Sequence, residues 1–209
     1  RSLVGAGFDE VYTLPLLAPA DIERAGGDPG APVIEVENPL RAEESVLRPA
    51  LLPGVLRAVA HNAAHGENDV ALFEVGTVFG MPADDAVLPD KRRHLAFARA
   101  GSVRRAPHGS DRPVDVYDAT AVLGALAAEL RIAGLELVPA RSAGLHPGRS
   151  ARVVVDGTVV GRIGEVASAV RAGLGVTGAL VAGEVDLGAL VVARRTERRM
   201  RPVSRLDRK

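Results

Sequence analysis

The strongest helical signal in the chain runs over residues 47–66. Leu52, Leu56, Val59 and Ala63 recur there at spacings of four, three and four, so they share one face. Pro53 suits a first turn, where its missing N–H lies among amides without an intrahelical partner, and Gly66 is placed to end the helix. Over residues 70–79 the period changes to two. Ala71, Phe73, Val75, Thr77 and Phe79 fall on one side of a predicted strand, and Leu72, Glu74, Gly76 and Val78 on the other. Glu74 is the odd residue of that run, because a carboxylate among apolar neighbours needs a donor or water.

The remaining pattern fills in around these two elements. Residues 3–8 read as the end of a helix, 9–17 as a strand, and 20–25 as a short helix between glycine and proline breaks. Val33, Ile34 and Val36 predict a second short strand, closed by Asn38-Pro39. Residues 92–100 predict a strand and 102–113 a surface loop. Asp118 is placed to cap a helix running to about Ile132, with Val122, Leu126 and Leu130 as its stripe and Gly134 as its stop. Asp156-Gly157, between apolar runs at 151–155 and 158–163, is a hairpin signal. A short helix over 166–172, a strand over 179–185 and a helical turn or two over 187–192 complete the chain. The sum predicts an α+β fold, a mostly antiparallel sheet flanked by helices.

Composition narrows the chemistry. The 209 residues suffice for one core of ordinary size or two small ones, and 47% hydrophobic residues exclude wholesale disorder. The absence of Cys excludes disulfides, thiolate zinc sites, Cys-ligated iron–sulfur clusters and cysteine nucleophiles. No run of 18 apolar residues and no basic leader with an apolar core supports a membrane span or a signal peptide. Lys and Arg balance Asp and Glu at 26 each, yet residues 194–209 are strongly basic and the rest correspondingly acidic. That division predicts one domain over 1–193 and a basic connector over 194–209. Arg1 in place of Met and a tail ending in charge read as a piece of a larger chain. Aromatic residues are 3% with no Trp, which disfavours a stacking platform for single-stranded nucleic acid.

Catalytic constellations are hard to find. Gly5-Ala6-Gly7 begins like a dinucleotide loop, but the sixth position is Glu10 and no strand precedes it. The only lysines are Lys91 and Lys209, neither in a phosphate-binding loop, and no Gly-x-Ser-x-Gly elbow exists. His61 and His65 have a helical spacing that can serve a metal, but Asn62 follows His61 and no third ligand is evident. Asp84-Asp85 lacks the alternating ligands of a calcium loop. Neither catalytic nor metal-binding residues are assigned.

Two stretches carry more than composition. The first runs from Asn38-Pro39 through Arg48 and Pro53-Gly54 to Asn62, then Phe73-Glu74-Val75-Gly76. The second is His146-Pro147-Gly148-Arg149, followed by Gly164-Glu165. Both read as rigid turns, with Arg48, Arg149, Glu74 and Glu165 available for internal ion pairs that hold them. In this order, with Pro113-Val114-Asp115 before the second long helix, these residues resemble the synthetase-like core of the phenylalanine–tRNA ligase beta-subunit family. Gly7, Phe8, Glu10, Val11 and Thr13 extend the resemblance to the amino end. The chain departs from the family's pattern at Ala167-Ser168, where His-Pro is usual, and at Ala119-Thr120-Ala121, where Leu-Lys-Gly is usual.

The resemblance implies a class II aminoacyl-tRNA synthetase-like core that has lost its own active site. It implies a scaffold that packs against a catalytic alpha subunit in an alpha2–beta2 assembly, a second alpha–beta pair completing it, and tRNA bound through the holoenzyme in the cytoplasm. ATP and Mg2+ are then expected in the holoenzyme and no cofactor in this segment. The family's magnesium-binding carboxylates and editing site lie upstream of this region, and an anticodon-binding domain is expected downstream. A degenerate class II-like binding module outside the ligase is the alternative, and an independent enzyme a third reading. The outward faces of the two long helices, one bearing Arg57 and His61 and the other rich in Ala, are the expected partner surface.

Overall fold

In the computed structural model, which describes residues 1–83, 86–103 and 110–193, the amino end forms α1 (Ser2–Gly5), β1 (Asp9–Glu10), β2 (Leu16–Leu17), α2 (Pro19–Arg24) and β3 (Val46–Leu47). The long helix α3 (Leu52–Ala64) leads into β4 (Ala71–Gly80) and β5 (Asp90–Ala100). Short β6 (Ser102–Val103) and β7 (Arg112–Pro113) precede the helix α4 (Val116–Leu130). The carboxyl half adds β8 (Leu135–Pro139), β9 (Leu145–Val155), β10 (Thr158–Val166), α5 (Ser168–Gly173), β11 (Leu180–Asp186) and α6 (Leu187–Val192).

Seven strands make one sheet in the order β1-β4-β5-β11-β10-β9-β8, antiparallel throughout except for the parallel β1–β4 pair. The period of two in β4 sorts its side chains between two cores. Phe73 joins Leu3, Phe8, Phe97, Val181 and the α4 stripe on one face, while Leu72 and Val78 join Ala96, Ala98, Ala182 and the α3 stripe on the other. The α3 residues Leu52, Leu56 and Val59 are all buried in the second core. Burying each such side chain stabilises by about 1.5–3 kcal/mol relative to exposure. Helices α3 and α4 therefore cover opposite faces of the sheet, and the α+β architecture expected from the pattern is the one observed.

Several local readings change. Residues 9–17 do not make one strand: after β1 the Val11 amide still bonds to the Phe73 carbonyl, but Pro15 interrupts the run before β2. The strand expected at 33–36 reduces to an isolated bridge between Glu35 and Val46, with the Val36 amide on the Ser45 carbonyl. Asp115, not Asp118, caps α4. Asp115 is extended and its side chain accepts from the Tyr117 amide, while Asp118 reaches back to the Asp115 amide at 2.8 Å to complete a capping box. The helix ends at Arg131 in the left-handed conformation (φ 55°), three residues before Gly134, because the buried Ile132 turns its amide back onto the Ala127 carbonyl. Strand β8 lies where no element was predicted.

His146, Pro147, Gly148 and Arg149, read as a turn, lie within β9. The register pairs Gly164 with Ser150 but Val166 with Leu145, so these four residues oppose Glu165 alone. A bulge of this size accommodates Pro147, which has no amide to give to a ladder. The hairpin between β9 and β10 turns on Asp156 (φ 49°) and Gly157 (φ 78°), the positive-φ pair that a type I′ turn requires. Part of the loop expected at 102–113, namely 104–109, lies outside the described residues, as do Asp84-Asp85 and the basic stretch 194–209. No helix among the described residues is long and apolar enough to cross a membrane.

Candidate functional site

Arg48 lies just before α3, and Glu74 sits in the middle of β4. Their side chains are 4% and 1% exposed as residues, and they meet at 2.7 Å between Nη1 and Oε1. The same Nη1 reaches the Thr13 carbonyl oxygen at 3.1 Å and Oγ1 at 3.0 Å, and Nε donates to the Thr77 carbonyl at 2.8 Å. The Thr13 hydroxyl donates to the second Glu74 oxygen at 2.7 Å. Both carboxylate oxygens and two guanidinium nitrogens are therefore engaged inside the protein. Two neighbouring glycines follow from this crowding. A Cβ at Gly76 would run into the Arg48 guanidinium and Leu51, and one at Gly54 would come within 2.5 Å of Thr13 Oγ1. Backbone bonds from Arg48 to Pro15 and from Phe79 to Arg48 complete a clamp that ties the chain before α3 to β4.

A second buried carboxylate, Glu184 on β11, does a job usually done by a local cap. Its two oxygens accept from the Leu51 and Leu52 amides at 3.0 Å each, and Oε1 also lies 2.7 Å from His94 Nδ1. Helix α3 has no side-chain cap of its own at Leu51, so Glu184 satisfies orphan amides at its start and places negative charge near the positive end of its dipole. Sequence reasoning missed Glu184 and His94. The signal was available: Glu184 interrupts the apolar run of β11 as Glu74 interrupts β4.

The third cluster is half-exposed. Arg149 spans the β9 bulge to Glu165, with Nη2 2.9 Å from Oε1 and Nε on Oε2. A Cβ at Gly164 would come within 2.7 Å of the Arg149 carbonyl oxygen, so the bulge needs a glycine opposite it. The Gly148 amide donates to His146 Nδ1 at 3.1 Å. The bond from Arg149 holds the Glu165 carboxyl below its usual range, against an opposing effect of burial. At Asp118 burial pushes the carboxyl up, but the bonds from Arg112 and from the Asp115 amide outweigh it, and the group ends below its usual range.

Both depressed carboxyls contribute stability that is present above their unfolded values, 4.5 for Glu165 and 3.8 for Asp118, and lost as pH falls through their lower folded values. Acid unfolding followed by circular dichroism should therefore show a shallower loss of stability below about pH 4.5 in Glu165→Gln than in the parent chain. An unchanged acid limb would contradict the pairing.

The remaining sequence-selected residues do not converge on these clusters. Asn38 and Pro39 lie in the segment before β3, with Asn38 exposed. Pro53 sits in the first turn of α3, Asn62 bonds through Nδ2 to the Ala58 carbonyl at 2.8 Å, and Phe73 is in the core. Asp115 is a helix cap. The His61 and His65 rings lie with centroids 4.4 Å apart at a 42° tilt, and His65 Nδ1 lies 2.7 Å from the His61 carbonyl oxygen. Among the described residues no group of three or more His, Cys, Asp or Glu is arranged to hold a metal ion. What these clusters do is fix backbone to backbone across the sheet.

The profile of the family described as "Phenylalanyl tRNA synthetase beta chain CLM domain" matches residues 1–187. The chain is 36% identical over 192 residues to the phenylalanine–tRNA ligase beta subunit of Xanthomonas oryzae pv. oryzae, covering 91% of this chain and 24% of that protein. It is 37% identical over 188 residues to the beta subunit of Cereibacter sphaeroides, covering 87% of this chain and 22% of that protein. The chain thus spans about a quarter of the length of these relatives. A pyrrolysyl-tRNA synthetase from Desulfitobacterium hafniense superposes with a TM-score of 0.69 at 15% identity, over 91% of this chain and 64% of that one, a likeness of fold alone.

Proposed function

Because the chain belongs to the phenylalanyl-tRNA synthetase beta-chain family, we propose that it serves as a non-catalytic scaffold domain, packing against an alpha subunit that performs the ATP-dependent charging of tRNA with phenylalanine. The observation that carries this reading is the fate of its buried polar groups. Arg48, Glu74 and Glu184, charged side chains buried at the sheet, are bound to one another or to backbone and His94. A group so engaged has little capacity left to bind or protonate a substrate. ATP, Mg2+ and tRNA belong to the cytoplasmic alpha2–beta2 holoenzyme rather than to this segment.

The partner surface is narrower than the two-helix surface expected from the sequence. Helices α3 and α4 cover opposite faces of the sheet, so one flat interface cannot take both. Arg57, expected on the outward face, is partly exposed but bound to Asp21 at 3.0 Å and Glu44 at 3.4 Å. Beside it Tyr12 and Leu14 stand 82% and 53% exposed and, with His61, line a shallow depression on the outer side of α3. Two large apolar side chains in open water next to a rigid helix suit an interface core. We place the alpha subunit there.

The catalytic half of this reading is tested by phenylalanine-dependent ATP–pyrophosphate exchange on the full-length beta chain, freed of alpha and of host synthetase. No turnover is expected. Turnover that survives that purification would overturn the scaffold assignment in favour of an independent enzyme.

A further inference from the structure

Beyond the scaffold role, and independently of it, the structure carries a candidate ligand site on the half of the sheet that α3 leaves uncovered. Arg162 on β10 stands between two cross-strand neighbours, Glu184 on β11 and Arg152 on β9. Neighbours of this kind share a face of the sheet with Cβ atoms about 5 Å apart. The ordinary expectation is an ion pair between Arg162 and Glu184. It does not form, because Glu184 is turned to the Leu51 and Leu52 amides and to His94. Arg162 instead donates to the Ala143 carbonyl at 3.0 Å. Arg152 is exposed, and its side chain has neither an ion-pair partner nor a hydrogen bond among the described residues. Two arginines are thus cross-strand neighbours with no carboxylate paired to either, a placement that like-charge repulsion disfavours.

Both arginines line a cavity of about 310 Å³, walled on its apolar side by Val159, Val160 and Pro49. His94 and Asp186 also line it, but His94 Nδ1 faces Glu184, and the Asp186 carboxylate accepts from the Ala189 amide at the start of α6. Neither arginine at this mouth is paired with a carboxylate, while both Glu184 oxygens and one Asp186 oxygen are already bonded. We propose that the cavity binds a small organic anion, a carboxylate or phosphate group on an apolar body, with the head group held by the Arg152 and Arg162 forks and the body against Val159. Planar guanidinium forks match either oxyanion in two-point contact, and the volume is at the small end of the range for ligand pockets.

The test uses the full-length chain, in whatever assembly it purifies with, titrated calorimetrically with phenyl phosphate and with benzoate. Inorganic phosphate and acetate serve as the bodiless controls. Saturable binding of phenyl phosphate or benzoate, tighter than its bodiless control, is expected, and the tighter of the two names the head group. Arg152→Gln, at an exposed position, should weaken that binding about tenfold, the loss of one charge-assisted contact. Crystals of the unaltered chain soaked in the tighter probe should place its head group between Arg152 and Arg162. Absence of saturable binding, controls that bind equally well, binding unchanged in Arg152→Gln, or a head group placed elsewhere would each overturn the proposal.

Discussion

Replacing Glu74 with Ala is expected to destabilise the domain by about 3–5 kcal/mol, the range seen when one partner of a buried ion pair is removed. The reason is Arg48. Its guanidinium is enclosed by Thr13, Thr77 and Glu74, and without the carboxylate its charge stays buried against two carbonyl oxygens and a hydroxyl. Glu74→Gln keeps the shape and one acceptor oxygen but not the charge or the second acceptor, so it should fall between Glu74→Ala and the parent. The paired substitution Arg48→Met with Glu74→Leu should recover much of the loss, since apolar residues of similar volume often replace a buried ion pair at little cost. Urea unfolding of the four chains measures this. A loss below about 1 kcal/mol for Glu74→Ala, the scale of a surface pair, would contradict the clamp.

Glu184→Ala should cost about 3 kcal/mol, because it leaves two amides at the start of α3 and the His94 ring nitrogen without their charged acceptor. The effect should be local as well as global. Hydrogen exchange at the Leu51 and Leu52 amides should accelerate more than exchange at amides in the middle of α3, which keep their bonds within the helix. Glu184→Gln retains one carbonyl acceptor and should lose less. Uniform acceleration along α3, with no excess at its first amides, would mean that the carboxylate does not cap the helix.

These two carboxylates also show what could be read from the chain. Period and punctuation made the α3 stripe, the two-sided β4 and the Asp156-Gly157 hairpin legible, because each depends on residues within one turn or one strand. Glu74 was recognisable as an anomaly for the same reason: a charge within a period-two apolar run needs a partner. Its partner Arg48 lies 26 residues away, and Glu184 lies 132 and 133 residues from the amides it caps. No local pattern encodes those distances. Asp115 and Asp118 illustrate a finer limit. Both suit a helix start, and only the extended backbone at Asp115 decides which one caps and which one reaches back. His146, Pro147, Gly148 and Arg149 carry the residues of a turn but form a bulge, because β9 continues its pairing with β10 on both sides of them. The edge strand β8 is not legible because Gly134 and Pro139 bracket it like a loop, and only its place at the sheet edge lets a strand end on Pro139.

The central claim is that a fold fastened by its own polar groups presents the Tyr12–Leu14 side of α3 to an alpha subunit. A structure of the intact alpha–beta assembly tests it most directly. The account predicts that Tyr12 and Leu14 become buried against alpha, with Arg48, Glu74 and Glu184 bonded as they are in this chain. Tyr12 and Leu14 still open to solvent, with alpha seated on the α4 face or elsewhere, would contradict it.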